Sequence, residues 1–136
     1  MFEAKGIDFA SLQPNEDDPF TQASSDGRGF AISGGVAKAV VNCIKAKDPE
    51  REVLVESAEG LENCKTMLTL AKKGKYDGYL LEGMACPGGC VAGAGTLLPI
   101  NRATMAVKKY TSTSDKLNAN DSKYKEYLDL LIEKYK

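Results

Sequence analysis

Histidine is absent from these 136 residues, and so is tryptophan. Without an imidazole the chain lacks the commonest general base and the commonest metal ligand, which excludes Ser–His and Cys–His catalysis. Long apolar runs are missing as well. The longest cover only a few residues, against roughly 20 for a helix that crosses a bilayer. Met1–Ala10 carries Glu3, Lys5 and Asp8 where a secretory leader needs an apolar centre. Charge of either sign is not in excess: 18 basic residues face 19 acidic ones, for a net −1. That leaves no electrostatic footprint for nucleic acid. What is present is an ordinary globular composition, 43% hydrophobic and 27% charged, in a length suited to one domain with a core of its own. Four cysteines stand at 43, 64, 86 and 90. In such a chain they read as reduced thiols, metal ligands or core residues before disulfides, and the composition as cytoplasmic.

Along the chain, residues 1–28 show no sustained period and contain Pro14, Pro19 and the acidic run Glu16–Asp17–Asp18. They read as irregular, with one helical turn near Phe2–Gly6. A structureless opening of that length is normally functional or borrowed from a larger context, a first hint that the chain is a piece of something longer. From Gly29 a short extended run turns into a helix, with Ser33 as its expected N-cap and Val36, Ala39, Val40 and Cys43 on its apolar face. Glu52–Glu56 reads as a strand. Leu61, Cys64, Leu68 and Ala71 mark a second amphipathic helix ending at Lys72–Lys73–Gly74, and Tyr79–Glu82 a second strand. Strand, helix, strand with short links predicts a right-handed crossover and a parallel pair. A helix from about Pro99 to Tyr110, a polar linker at Thr111–Asn120 and a final helix from about Asp121 complete the reading. That last helix carries Tyr124, Tyr127, Leu128, Leu131 and Tyr135 on one stripe. The fold class expected is α/β, a small, mostly parallel sheet flanked by helices.

The most unusual segment is Met84-Ala85-Cys86-Pro87-Gly88-Gly89-Cys90. It follows the carboxyl end of a strand, where open α/β sheets place their ligand sites. Two thiols separated by Pro-Gly-Gly leave room for an inorganic sulfide cluster, whose sulfurs need backbone N–H donors nearby. A helix starting just after Gly89 would also set Cys90 against a positive dipole end. Three other readings stay open: a structural glycine turn with two buried thiols, a dithiol redox pair, and a zinc site. The redox pair usually has two intervening residues rather than three. Zinc would need two more ligands.

The segment Met84–Cys90 resembles the third cysteine signature of the iron-only hydrogenase active-site domain. Gly29–Val40 (GFAISGGVAKAV) is similar to the segment that family carries ahead of this signature, and Gly60–Leu81 to the stretch leading into it. The resemblance implies that residues 29–136 form the C-terminal lobe of a two-lobed catalytic domain. It implies Cys86 as a thiolate ligand of a 4Fe–4S cubane and Cys90 as the thiolate that also bridges to a two-iron subcluster, where hydrogen is made or split. Met84 and Phe30, with the backbone around Ser33 and Gly34, would line that pocket. The implied partners are the missing N-terminal lobe and a ferredoxin-like electron carrier.

Two features depart from the family pattern. The usual Gly-Gly-Gly-Gln-Pro run after the second cysteine is here Gly93-Ala94-Gly95-Thr96-Leu97-Leu98-Pro99, which implies a divergent branch. The other cysteine motifs of the family, of the Thr-Ser-Cys-Cys-Pro and Pro-Cys-x-x-Lys kind, are not in this sequence. Cys43 and Cys64 fall on apolar helix stripes and read as small packed hydrophobes, not as substitutes. The chain alone is therefore expected to be inactive and without the two clusters. Met1 is expected to be an internal start, an artificial boundary or a mis-called gene start, and an uncovered face to favour self-association. The alternative is a stand-alone, non-catalytic module that binds a cluster or a partner. Gly27–Gly29 with Gly34–Gly35 has the spacing of no phosphate loop. Glu56 and Glu82, at strand ends, read as solvated carboxylates.

Overall fold

The computed structural model describes residues 1–13 and 22–134. Pro14, Pro19, the Glu16–Asp18 run and Tyr135 lie outside the described residues, as do the side chains of Leu128 and Leu131. Five α-helices and two strands follow in order: α1 Ser25–Arg28, α2 Gly35–Lys47, β1 Val55–Glu59, α3 Leu61–Lys72, β2 Leu80–Met84, α4 Ile100–Thr111 and α5 Lys125–Lys134. The two strands pair in parallel, Val55 opposite Leu80 and Glu59 opposite Met84, with α3 as the crossover. The expected small parallel α/β arrangement is what the chain adopts.

The strand boundaries differ from expectation for a physical reason. Val53 and Leu54 have the stronger β-propensity, yet pairing with β2 recruits Ser57, Ala58 and Glu59 into the ladder. Leu54 contributes only its carbonyl, which accepts from the Leu80 amide at 2.8 Å. Tertiary pairing overrides local preference here. The buried face of α3 is also turned from the expected stripe. Met67 is its buried residue, with Cys64 and Ala71 half-buried on the same side, whereas Leu61 and Leu68 face solvent.

Two stretches expected to be irregular carry more structure than that. In residues 1–28 the helical turn expected near Phe2–Gly6 is the 3-10 turn at Glu3–Lys5, while a second 3-10 turn at Phe9–Ser11 and α1, which runs directly into another at Gly29–Ala31, were not expected. The polar linker after α4 is tied to α1: the Ser25 and Asp26 amides donate to the Lys116 and Leu117 carbonyls at 2.7 and 3.0 Å. Asn118 is buried there and caps a 3-10 turn at Ala119–Asp121, so the last helix begins only at Lys125. Arg28 holds α4 from the other side. Its guanidinium lies 4.4 Å from the Tyr110 ring centre and donates to the Tyr110 carbonyl and the Thr113 hydroxyl. In the tyrosine stripe of α5, Tyr127 is exposed and stacks obliquely on Tyr124.

Apolar burial is sparse. Among the described residues, Ala37, Ala39, Met67 and Val91 form the buried apolar set, and no large side chain is fully enclosed. Phe9, Leu61, Leu68, Leu97 and Met105 are all more than half exposed. A substantial closed core, expected from length alone, is not built from these residues, and polar tethers do much of the joining.

Candidate functional site

β2 ends at Met84, and the chain then turns through Cys86–Pro87–Gly88–Gly89 into a single 3-10 turn, Cys90–Ala92. No helix follows Gly89, so the expected helix-dipole setting for Cys90 is not formed. Cys86 is half-buried, Cys90 is exposed, and all four cysteines are free thiols. Cys43 and Cys64 are half-buried on α2 and α3. The Cys64 sulfur lies 3.5 and 3.6 Å from the carbonyl oxygens of Ala58 and Met84. It is packed under the sheet end, as a small side chain in a crowded place.

The loop is seated on the turn before α2. The Ser33 amide donates to the Gly88 carbonyl at 3.2 Å. Gly89 is buried with φ +91°, and a Cβ there would stand 2.6 Å from the Ser33 nitrogen and 2.7 Å from the Ala31 oxygen. Only glycine tolerates that φ and that approach together. The Gly88 amide donates to the Glu59 carboxylate at 2.9 Å. The Gly89 amide donates to the Cys86 carbonyl. The amides of Gly88 and Gly89 are thus both engaged within the protein.

The Gly88 amide, and after it the Ser33 side chain, hold the Glu59 carboxyl below the usual carboxylate range. A carboxylate with a lowered folded-state pKa stabilises the fold above its unfolded pKa and loses that contribution as pH falls through the lowered value. The Gly88 amide resonance should therefore stay constant through neutral pH and move only in acid, below the range of an ordinary glutamate. An NMR titration of the chain measures this; a midpoint at or above the ordinary value would contradict it.

Ser33 is not the N-cap of α2. That place falls to Gly34, which has no side-chain oxygen to offer. The cap is Glu82, reaching over from β2: one carboxylate oxygen accepts from the Gly34 amide and the other from the amides of Val36 and Ala37, both at 3.0 Å. Glu82 is 8% exposed, so the reading of it as a solvated strand-end carboxylate is corrected. Period-two alternation was the available signal, since it places Glu82 on the same strand face as Leu80 and Met84. Glu59, the other carboxylate engaged here, has no comparable signature in the sequence.

The remaining candidates are spread. Ser33 and Gly34 line a cavity of about 280 Å³ with Asp26, Lys38, Lys108 and Thr111. Met84 lines a separate groove of about 250 Å³ between β2 and α2, with Val36, Ala37 and Val40. Phe30 is 46% exposed in the turn at Gly29–Ala31. The structure thus brings Ser33 against the cysteine loop, while Met84 lines a groove apart from the cavity of Ser33 and Gly34 and Phe30 is partly exposed in the turn ahead of them. Among the described residues, no three histidine, cysteine, aspartate or glutamate side chains converge on a point that could hold a metal ion. The loop offers two thiols, half of what a cubane takes, so the residues present do not by themselves fit such a group. No described helix is long and apolar enough to cross a membrane.

The family described as iron only hydrogenase large subunit, C-terminal domain matches residues 1–94, from the first residue to just beyond the cysteine loop. The periplasmic [Fe] hydrogenase large subunit of Nitratidesulfovibrio vulgaris is 29% identical, the match covering 70% of this chain and 29% of that protein. The NADP-reducing hydrogenase subunit HndD of Solidesulfovibrio fructosivorans is 30% identical over 70% of this chain and 21% of its own length. A shorter match, 39% identical over 49 residues, joins 36% of the chain to 11% of the nuclear prelamin A recognition factor of Xenopus laevis. The chain thus spans less than a third of each of these relatives.

Proposed function

Because the chain belongs to the family formed by the C-terminal domain of iron-only hydrogenase large subunits, we propose that its role is to supply part of an iron–sulfur cage. Cys86 and Cys90 would be the two thiolates it contributes, and Cys90 would also serve a two-iron subcluster. The remaining thiolates come from the rest of a large subunit. When bound, such a group supplies the electron and proton chemistry of reversible hydrogen formation. The protein's share is to present two thiols on a loop that cannot drift. The observation that carries the reading is the seating of that loop, with Gly88 and Gly89 locked on the Ser33 turn at the end of β2. Met84, Phe30, Ser33 and Gly34 would wall the pocket once the other lobe is in place. A ferredoxin-like carrier would deliver electrons. Four free thiols favour a reducing, cytoplasmic setting.

On this reading the chain alone evolves no hydrogen. Mixed anaerobically with the N-terminal part of the N. vulgaris large subunit, iron and sulfide, it should retain iron that Cys86→Ser or Cys90→Ser reduces to background. Iron counting after gel filtration measures this. Undiminished iron in both serine variants would sink the assignment.

A second reading rests on the match to a relative named for recognition rather than for hydrogen chemistry, and on the exposed apolar side chains. On that reading the chain is a non-catalytic module. Stoichiometric iron in a dimer of the chain alone would favour it.

A further inference from the structure

Two hydrogen bonds hold the middle of the cysteine loop. The Ser33 amide donates to the Gly88 carbonyl at 3.2 Å, and the Gly88 amide donates to the Glu59 carboxylate at 2.9 Å. Both polar atoms of Gly88 are therefore fixed, by two elements far apart in sequence. Gly88 is the midpoint of the Cys86–Cys90 segment, so fixing its peptide planes fixes how the two thiols are presented.

The base from which Glu59 reaches is itself fixed. Its backbone pairs with Met84 at the last rung of the sheet, and its carbonyl accepts from the Asn63 side-chain amide at 2.8 Å. Next to it, the Gly60 amide donates to the Met84 carbonyl at 2.8 Å. Glu59 is an exposed residue at the end of β1. Its side chain is turned onto the Gly88 amide, midway between the two cysteines.

We infer that Glu59 is the positioning residue of the two-thiol loop, setting the Cys86 and Cys90 thiols in the arrangement that a thiophilic metal needs. This rests on the reading of those cysteines as a ligand pair. Glu59 does not touch the metal; it acts through Gly88. A charge-assisted hydrogen bond to a backbone amide is the stronger kind, and its loss lets a glycine-rich loop sample many conformations.

The test uses the whole chain, with cadmium as the probe and two readouts. Glu59→Ala should weaken cadmium binding about tenfold, followed by thiolate-to-metal absorbance, and speed Gly88 amide exchange about tenfold, with the far-UV spectrum unchanged. Glu59→Gln should recover most of both, because its amide oxygen still accepts from Gly88. Wild-type cadmium affinity in Glu59→Ala overturns the inference, and so does failure of Glu59→Gln to recover. If Cys86→Ser leaves cadmium affinity untouched, the ligand-pair reading fails separately. Exchange at Gly88 then decides the clamp alone, and an unchanged rate in Glu59→Ala overturns it.

Discussion

Glu82→Ala should cost the chain about 3 kcal/mol of unfolding free energy or more, the largest loss expected from any one polar side chain here. The carboxylate closes the amino end of α2 by accepting from three of its amides, those of Gly34, Val36 and Ala37. In most helices a serine or aspartate at the N-cap does this locally, and its removal costs about 1 kcal/mol. Here the cap comes from 46 residues away, so one side chain both ends the helix and fastens it to the sheet. Ala37 is buried, and without the carboxylate its amide has no water within easy reach. An unsatisfied buried donor carries its whole desolvation penalty. A fold with only four buried apolar residues among those described has little to offset that. Glu82→Gln keeps one good acceptor and should lose about half as much. Urea titration followed by circular dichroism measures both, and a loss below about 1 kcal/mol for the alanine variant would show the cap to be dispensable.

Where the sequence was legible and where it was not follows from the range of the interactions. The crossover was readable because apolar spacing and turn residues around Leu61–Lys72 are local signals, and the parallel pairing of the flanking strands followed from it. The Cys86–Cys90 loop stood out in the sequence because two cysteines around Pro-Gly-Gly follow directly on a strand end, and the structure keeps that placement. The polar ties were not readable. Ser33 stands two residues ahead of the helix start and looks like a cap, yet Gly34 takes the place and the capping oxygen lies on β2. The linker Thr111–Asn120 looks slack because its bonds run to Ser25 and Asp26. Leu61 and Leu68 have helical spacing but stay in solvent, because none of the described elements covers them. Periodicity says which residues could share a face; it does not say that a partner for the face is present.

Gly89→Ala should be as damaging as the loss of Glu82, for a steric reason in place of a polar one. Gly89 has φ +91°, a conformation that L side chains rarely adopt, and that strain alone costs about 1–2 kcal/mol. The new methyl would also stand 2.6 Å from the Ser33 nitrogen, 2.7 Å from the Ala31 oxygen and 3.0 Å from the Ile32 carbonyl carbon. All three neighbours are backbone, so no side chain can swing aside, and the loop must lift from the turn. Lifting it stretches the bond from Ser33 to Gly88 and the one from Gly88 to Glu59 together. The total should be roughly 3 kcal/mol or more. Gly95→Ala is the matched control: its φ is +88°, and a Cβ there meets nothing within 4 Å. It should show the strain without the collision, about 1–2 kcal/mol. Equal losses in the two variants would mean that the seam between the cysteine loop and the α2 turn is loose. A clear excess at Gly89, together with faster alkylation of the half-buried Cys86, is the result that a tightly seated loop requires.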